Sequence, residues 1–413
     1  MTDPEATDPA ATATADPRLR TLFDALGPTR AEREELYKWF HRHPETAFTE
    51  YETSRRIGEE LSALGLSPVS VGTTGKVAVL ANGEGPVVMM RADFDALPCA
   101  EESGKDYSAD PQLGRMHACG HDLHTTALLG AVRALVENLD AWRGTFIALF
   151  QPAEEIGQGA SEMVAAGLTE KVPHPDVVLG QHVFSTLPGG AVGARRGPAL
   201  STTTQLRVVI HGRGGHGSMP HTTIDPVVIA GAVIGRIQTI VSRELEPGTF
   251  GVVTVGSVHA GDAPNTVADS ATLRLSTRAY DEDVDARLLA SVERIVRAEC
   301  AAAGAEREPE FTVEGRGPLT TNDVAVTDAV MGSFRSAFGE EGVHAPGRWT
   351  GSEDFSNIPR AFGAPYCFWA LGGFSDWENA PSNHSPQFAP DLQPSLDRGT
   401  EAILAAAAPW LIR

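Results

Sequence analysis

Four short runs in this chain are apolar almost from end to end and rich in β-formers: residues 76–81, 87–91, 145–150 and 177–180. A strand with one wet face alternates apolar and polar side chains. A run without alternation is buried on both faces, which is the signature of parallel strands covered by helices. Helical patterns surround these runs. Residues 31–41 follow Pro28 and Thr29-Arg-Ala-Glu32, which has the form of a capping box. Residues 50–64 precede Gly65, and 124–138 carry Leu128, Leu129, Val132, Leu135 and Val136 on one side. The expected fold class is α/β: a mixed, mostly parallel sheet with helices on both faces.

The pattern changes after Pro198. Residues 205–212 read as a strand, 226–242 as a helix, 250–259 and 266–278 as strands, 283–303 as a helix and 310–313 as a short strand. The order β-α-β-β-α-β is ferredoxin-like. After Thr320 the α/β pattern resumes. The expected organisation is an acidic disordered tail (1–18) and a catalytic domain in two parts (19–198 and 315–413). An inserted α+β lid domain (199–314) separates those parts.

Lysine plus arginine is 33 and aspartate plus glutamate is 54, a net charge of −21. Nucleic acid and anionic membranes are therefore not expected partners. Four cysteines, Cys99, Cys119, Cys300 and Cys367, are too few for a disulfide framework in 413 residues. No run of about 18 uninterrupted apolar residues suggests a membrane span. The first residues lack the basic and apolar regions of a secretory signal, so a cytoplasmic location is expected.

Chemistry-bearing residues gather just after the apolar strands, where open α/β sheets place their ligands. Asp93 and Asp95 leave the strand at 87–91 on alternate positions. They would share one face, and by themselves suit loop hydrogen bonds or a helix cap. Met116-His117-Ala-Cys119-Gly-His121-Asp122-Leu-His124 packs three histidines, a thiol and a carboxylate into nine positions. Thiolate plus imidazole suits zinc, and Asp93 or Asp122 can orient an imidazole from behind. The alternative is an ordinary helix start, with Asp122 as its cap and the histidines exposed. Glu154-Glu155 ends another strand, where one carboxylate can bind metal and the other act as general base. His182 ends the fourth strand and His384 lies far downstream. Cys119, His121, Glu155, His182 and His384 make five donors, more than one tetrahedral zinc needs and suited to two metals. In the insert, Gly212-Arg-Gly-Gly-His216-Gly is a glycine-rich hook carrying a histidine, and Asn265 sits in a loop before a strand.

The stretches MRADFDALP, MHACGHDLH, FQPAEE, GQHV, GRGGHGSMPH, APNTVAD, GSEDFS and NHSP, in that order, resemble the M20 family of dinuclear metallopeptidases and amidohydrolases. The resemblance is strongest to its subgroup of hippurate hydrolases, N-acyl-amino-acid amidohydrolases and auxin-conjugate hydrolases. It implies two divalent ions per subunit (zinc, manganese or cobalt) on Cys119, His121, Glu155, His182 and His384, with Glu154 as base. It implies that Asp93 supports the site, and that Arg91 stands where many M20 peptidases place a metal-binding histidine. It implies a lid histidine, His216, that reaches a partner subunit's active site and steadies the oxyanion. Asn265 would hold the substrate carboxylate, and Glu353 would support the site or contact substrate. The implied reaction is hydrolysis of the amide of a small N-acyl amino acid by a homodimer joined through its lid. A dipeptidase or an N-acetyl-diaminopimelate deacetylase on the same fold is the near alternative. A non-catalytic metal-binding paralogue is the distant one.

Overall fold

The computed structural model describes residues 16–412. The chain forms two compact units: Met1–Gly197, Thr321–Gly347 and Asp354–Arg413 make the first, and Pro198–Thr320 with Arg348–Glu353 make the second. Most of the expected tail lies outside the described residues. Its last positions do not: a helix begins at Pro17, capped by Asp16, whose side chain accepts the Arg18 N–H.

The first unit is built on a seven-stranded sheet. Its four central strands, Gly144–Gln151, Val87–Asp93, Val177–Pro188 and Tyr366–Phe374, are mutually parallel. Gly75–Asn82 and Val69–Val71 extend it antiparallel on one side, and Val192–Gly193 on the other. Every residue of Tyr366–Phe374 is buried, and so are Met89–Asp93 and Phe146–Gln151, as expected of unalternating strands. The helices His121–Glu137 and Leu392–Leu411 pack on each other and on the sheet, burying Leu123, Leu128, Val132, Leu135, Ile403 and Leu404. A Leu or Ile so buried is worth about 1.5–3 kcal/mol over an exposed one. Because the central strands run in one direction, their carboxyl ends lie side by side: Asp93 is opposite Gln151, and His182 is opposite Ala370.

The second unit has a four-stranded antiparallel sheet in the order Gly251–His259, Ser270–Ala279, Thr203–His211, Glu310–Gly317. The helices Pro226–Thr239 and Glu282–Ala302 pack on it around Leu206, Val208, Ile210, Leu273, Val233, Ile237, Leu288 and Val292. This is the expected ferredoxin-like arrangement. Pro226–Glu244 is long and apolar enough by composition to cross a membrane. Here it buries Ile229, Val233, Ile237 and Ile240 as a core helix does.

Two local expectations fail. The capping box does not form. Thr29 has near-helical dihedrals and its hydroxyl donates to the Leu26 carbonyl, while Glu32 reaches out to Arg133. The strand expected at 266–278 is broken: Thr266–Val267 pairs with Gly215–His216 as a small ribbon, and Ser270–Ala279 joins the main sheet.

Candidate metal and active site

The donors of the first unit converge at the carboxyl edge of the parallel strands. His182 lies near the end of the buried run Val177–Val183 of the strand Val177–Pro188, and its Nε2 lies 3.3 Å from Cys119 Sγ. Cys119, His121 and His182 form one group whose ligand atoms all lie within 4.8 Å, and Cys119, Glu155 and His384 form another. His384 Nε2 is 3.4 Å from Glu155 Oε2. His121 Nε2 is 3.9 Å from both Glu154 Oε2 and Glu155 Oε1. The five donors separated by 265 positions of sequence thus meet, together with Glu154.

The tautomers fit a cation. His121 Nδ1–H donates to the Asp95 carbonyl (2.9 Å) and His182 Nδ1–H to the Val183 carbonyl (2.8 Å), which leaves each Nε2 to face the cluster. Burial works against the charge of His121, but Asp93, Asp95 and Cys119 outweigh it and hold it well above the usual imidazole range, so a bound cation would take the place of its second proton. His121 Nε2 is buried and makes no hydrogen bond to any described residue. Such an orphaned nitrogen among carboxylates and a thiol is what a divalent ion would satisfy. Burial keeps His182 well below the usual imidazole range, and also lowers His384, so both stay neutral and able to ligate. Burial pushes the Cys119 thiol up to about 12, so only a bound cation would favour its thiolate.

The backbone is shaped to aim these groups. Gly120, between the two expected ligands Cys119 and His121, has φ +81° and starts the helix His121–Glu137. A Cβ there would sit 2.3 Å from Val183 Cγ1. Ala153 and His384 also hold positive φ, 51° and 69°. The Ala153 N–H is caught by Glu50 Oε1, and the His384 N–H by the Ala118 carbonyl. Asn383 donates to the Val183 carbonyl.

Asp95 is the residue whose role sequence reasoning missed. Its two carboxylate oxygens accept the amides of Glu154 (3.1 Å) and Glu155 (3.0 Å), and Oδ1 lies 3.3 Å from His121 Nδ1. One buried side chain thereby orients the expected base, one expected ligand and a second expected ligand. Asp93 is buried between Arg91 (2.7 Å) and His124 Nδ1 (2.6 Å), with Oδ2 3.5 Å from His121 Nε2. Burial works against its charge, but Arg91, His121 and His124 outweigh it and hold the carboxyl well below its usual range. His124 passes the connection on by accepting the Val183 N–H. Asp122 is not the N-cap, a place Gly120 takes, but its Oδ1 accepts the first-turn Leu123 N–H, and its other oxygen binds His41 rather than an expected ligand imidazole. The histidines of this cluster are buried rather than exposed.

Gln151 and Asp354 fasten the loop between strand and helix. Gln151 bridges Arg91 and Asp354, and Asp354 accepts the Ala160 N–H at the start of Gly159–Ala165. Phe355 and Trp369 are fully buried, while Trp377 is 38% exposed. Cys300 and Cys367 are buried among apolar residues.

In the second unit His216, on the small ribbon, and Asn265, which directly precedes its other strand, are both exposed. Gly217 N–H donates to the Asn265 carbonyl (2.7 Å), and Ser218 holds His216 Nδ1 (2.8 Å). Glu353 is buried at the end of the Arg348–Glu353 segment of this unit.

Residues 89–408 match the family described as peptidase family M20/M25/M40. The chain belongs to the M20 family. This M20 protein is 35% identical to thermostable carboxypeptidase 2 of Saccharolobus solfataricus over 86% of its length and 90% of that protein. It is 35% identical to the IAA-amino acid hydrolase ILR1-like 4 of Arabidopsis thaliana, over 87% and 83% of the two chains. It is 34% identical to N-acetyl-L-cysteine deacetylase of Bacillus subtilis, over 86% and 83%. Among solved structures, the Bacillus subtilis YXEP protein, described as a dinuclear metal binding M20 peptidase, superposes with TM-score 0.76 at 26% identity, covering 94% and 98%. A methicillin-resistant Staphylococcus aureus structure superposes with TM-score 0.85 at 30% identity, over the same shares of the two chains. The M20 protein is thus a metal-dependent amidohydrolase or peptidase on the α/β architecture expected from its strands.

Proposed function

We propose that the enzyme hydrolyses the amide bond of N-acyl amino acids, releasing a carboxylic acid and a free amino acid. The observation that carries this reading is the setting of Glu154. Its amide is pinned by Asp95 and its carboxylate faces the open nitrogen of His121, beside Glu155. A carboxylate so held takes a proton from water and delivers it to the departing amine. Cys119, His121, Glu155, His182 and His384 would hold two divalent cations, with zinc, manganese and cobalt all compatible with the donors. When bound, such ions supply Lewis acidity to the carbonyl and to water. Asp95 keeps Glu154 and Glu155 in register, and Asp93 keeps His124 and the Val183 backbone in place. His216 is assigned to the developing oxyanion and Asn265 to the substrate carboxylate, supported by the Gly217–Asn265 hydrogen bond that joins their two segments.

Glu154→Gln keeps size and polarity but removes the base. Its turnover should fall by at least about 10²-fold while metal content is unchanged; a near-wild-type rate removes Glu154 from this role. A panel of N-acetyl, N-benzoyl and aromatic-acyl amino acids set beside dipeptides tests the substrate class. Cleavage of the dipeptides alone would overturn the N-acyl reading in favour of a dipeptidase.

The second unit is assigned the homodimer contact. Its helix from Pro226 turns Ile229, Val233 and Ile237 inward but leaves Val227 and Val228 exposed, with Val241 just beyond. A second copy of this face would cover them.

A further inference from the structure

A buried ion cluster lies behind the site and belongs to none of the roles assigned above. His41, in the helix Arg30–Arg42, has Nδ1 2.6 Å from Asp122 Oδ2 and Nε2 3.0 Å from Glu101 Oε1, and all three side chains are fully buried. A neutral imidazole has one N–H and can satisfy only one of two carboxylates. The doubly donating form is the cation. Tyr37 and Tyr107 pack against the ring, with centroids at 5.6 and 5.2 Å, and the buried His117 stands near Asp122.

The two carboxylates stand on different ligand-bearing segments. Asp122 directly follows His121, and its Oδ1 accepts the Leu123 N–H in the first helical turn. Glu101 is the hub of the 97–109 loop, accepting Ser103 Oγ and the Ala109 N–H (2.7 Å). The next residue, Glu102, donates its N–H to the Pro386 carbonyl (2.8 Å) and accepts Gln387 Nε2 (2.8 Å). Those contacts hold the loop that carries His384. Without a cation between them, two buried carboxylates would repel, driving the Cys119–His121 segment and the His384 segment apart.

We propose that His41 is a positioning residue that latches the Cys119–His121 segment to the His384 loop, and so sets how tightly the protein keeps its metal. The inference rests on the ligand reading above. It is specific to a residue some 80 positions upstream of the nearest donor, on an element that supplies no donor itself.

The test reads metal retention rather than turnover. Wild-type protein, His41→Asn, Glu101→Gln and Arg33→Ala are loaded with zinc alone, and zinc release to a chromophoric chelator is timed. Thermal unfolding of each metal-free protein is recorded in parallel. Arg33 is the control: it is buried on the same helix, but its ion pair runs to Asp397 and away from the donors. His41→Asn should release zinc at least about tenfold faster than wild type, the scale expected for residues that support metal ligands. Glu101→Gln should be several-fold faster. Arg33→Ala should unfold at lower temperature yet release zinc at the wild-type rate. Wild-type release from His41→Asn, or equally fast release from Arg33→Ala at a matched loss of stability, overturns the proposal. If His41→Asn does not fold, Glu101→Gln decides alone, and a wild-type rate there overturns it. A wild-type protein that takes up no zinc, manganese or cobalt would instead fail the ligand reading itself.

Discussion

At the scale of single residues, the site is organised by side chains that touch the donors rather than by the donors alone. Asp95 is the clearest case, because one carboxylate accepts the amides of Glu154 and Glu155. Asp95→Ala removes both anchors, and a shift of about 1 Å at such a base costs on the order of 10²-fold. We expect kcat to fall by that factor, with Asp95→Asn intermediate; a wild-type kcat would show that the loop is held by other contacts. His41 makes a different prediction. Burial opposes its charge, but the hydrogen bonds and charges of Asp122 and Glu101 overcome this and raise it to about 9 from an ordinary 6.5. A raised histidine stabilises the fold fully below about pH 6.5, and that contribution disappears as pH rises through about 9. The gap in unfolding free energy between wild type and His41→Gln should therefore be widest below pH 6.5 and narrow toward pH 9–10. The facing Tyr37 and Tyr107 are pushed up by burial and stay neutral over that range. A constant gap in chemical denaturation would contradict the assignment of a buried imidazolium.

At the scale of elements, strand identity was legible because burial on both faces leaves a plain mark: runs of valine, methionine and phenylalanine without alternation. Strand ends were less legible. Val177–Pro188 continues well past Gly180, since His182 and Ser185 are polar yet buried. Composition does not distinguish a polar residue at a buried site from one in a loop. The donor set could be assembled from residue type and position after strands. The partners of Asp95 and His41 could not, because each contact spans 26 residues or more and leaves no local pattern. The missing capping box at Thr29 shows the converse: a local motif was present, but the turn before it put Thr29 in the wrong dihedral region. The junction at Gly120 gives the element-scale prediction. Gly120→Ala must hold a left-handed backbone and push into Val183, together costing about 2–4 kcal/mol. The melting temperature should drop and metal content fall with it. An unchanged melting temperature would mean that the helix start relaxes freely.

At the scale of the whole molecule, the acidic excess of −21 needs no partner to explain it, and the apolar helix of the second unit is the surface that asks for one. Val228 is 67% exposed there. Val228→Asp should convert a dimer to monomer in light scattering without loss of the folded state. A wild-type monomer would remove the dimer from the proposal. The sheet of the first unit carries a consequence for how the chain is made. Trp369 and Gln181 are partners on neighbouring parallel strands, yet 188 residues separate them. All of the second unit's residues emerge from the ribosome between those two strands. Until Tyr366–Phe374 arrives, Val177–Pro188 waits with an unpaired edge, the kind of surface that recruits strangers. His384 emerges later still. Translation beyond residue 366 therefore closes the sheet and brings in His384 together, and a chain cut short before it would be sticky and would lack one of the expected donors.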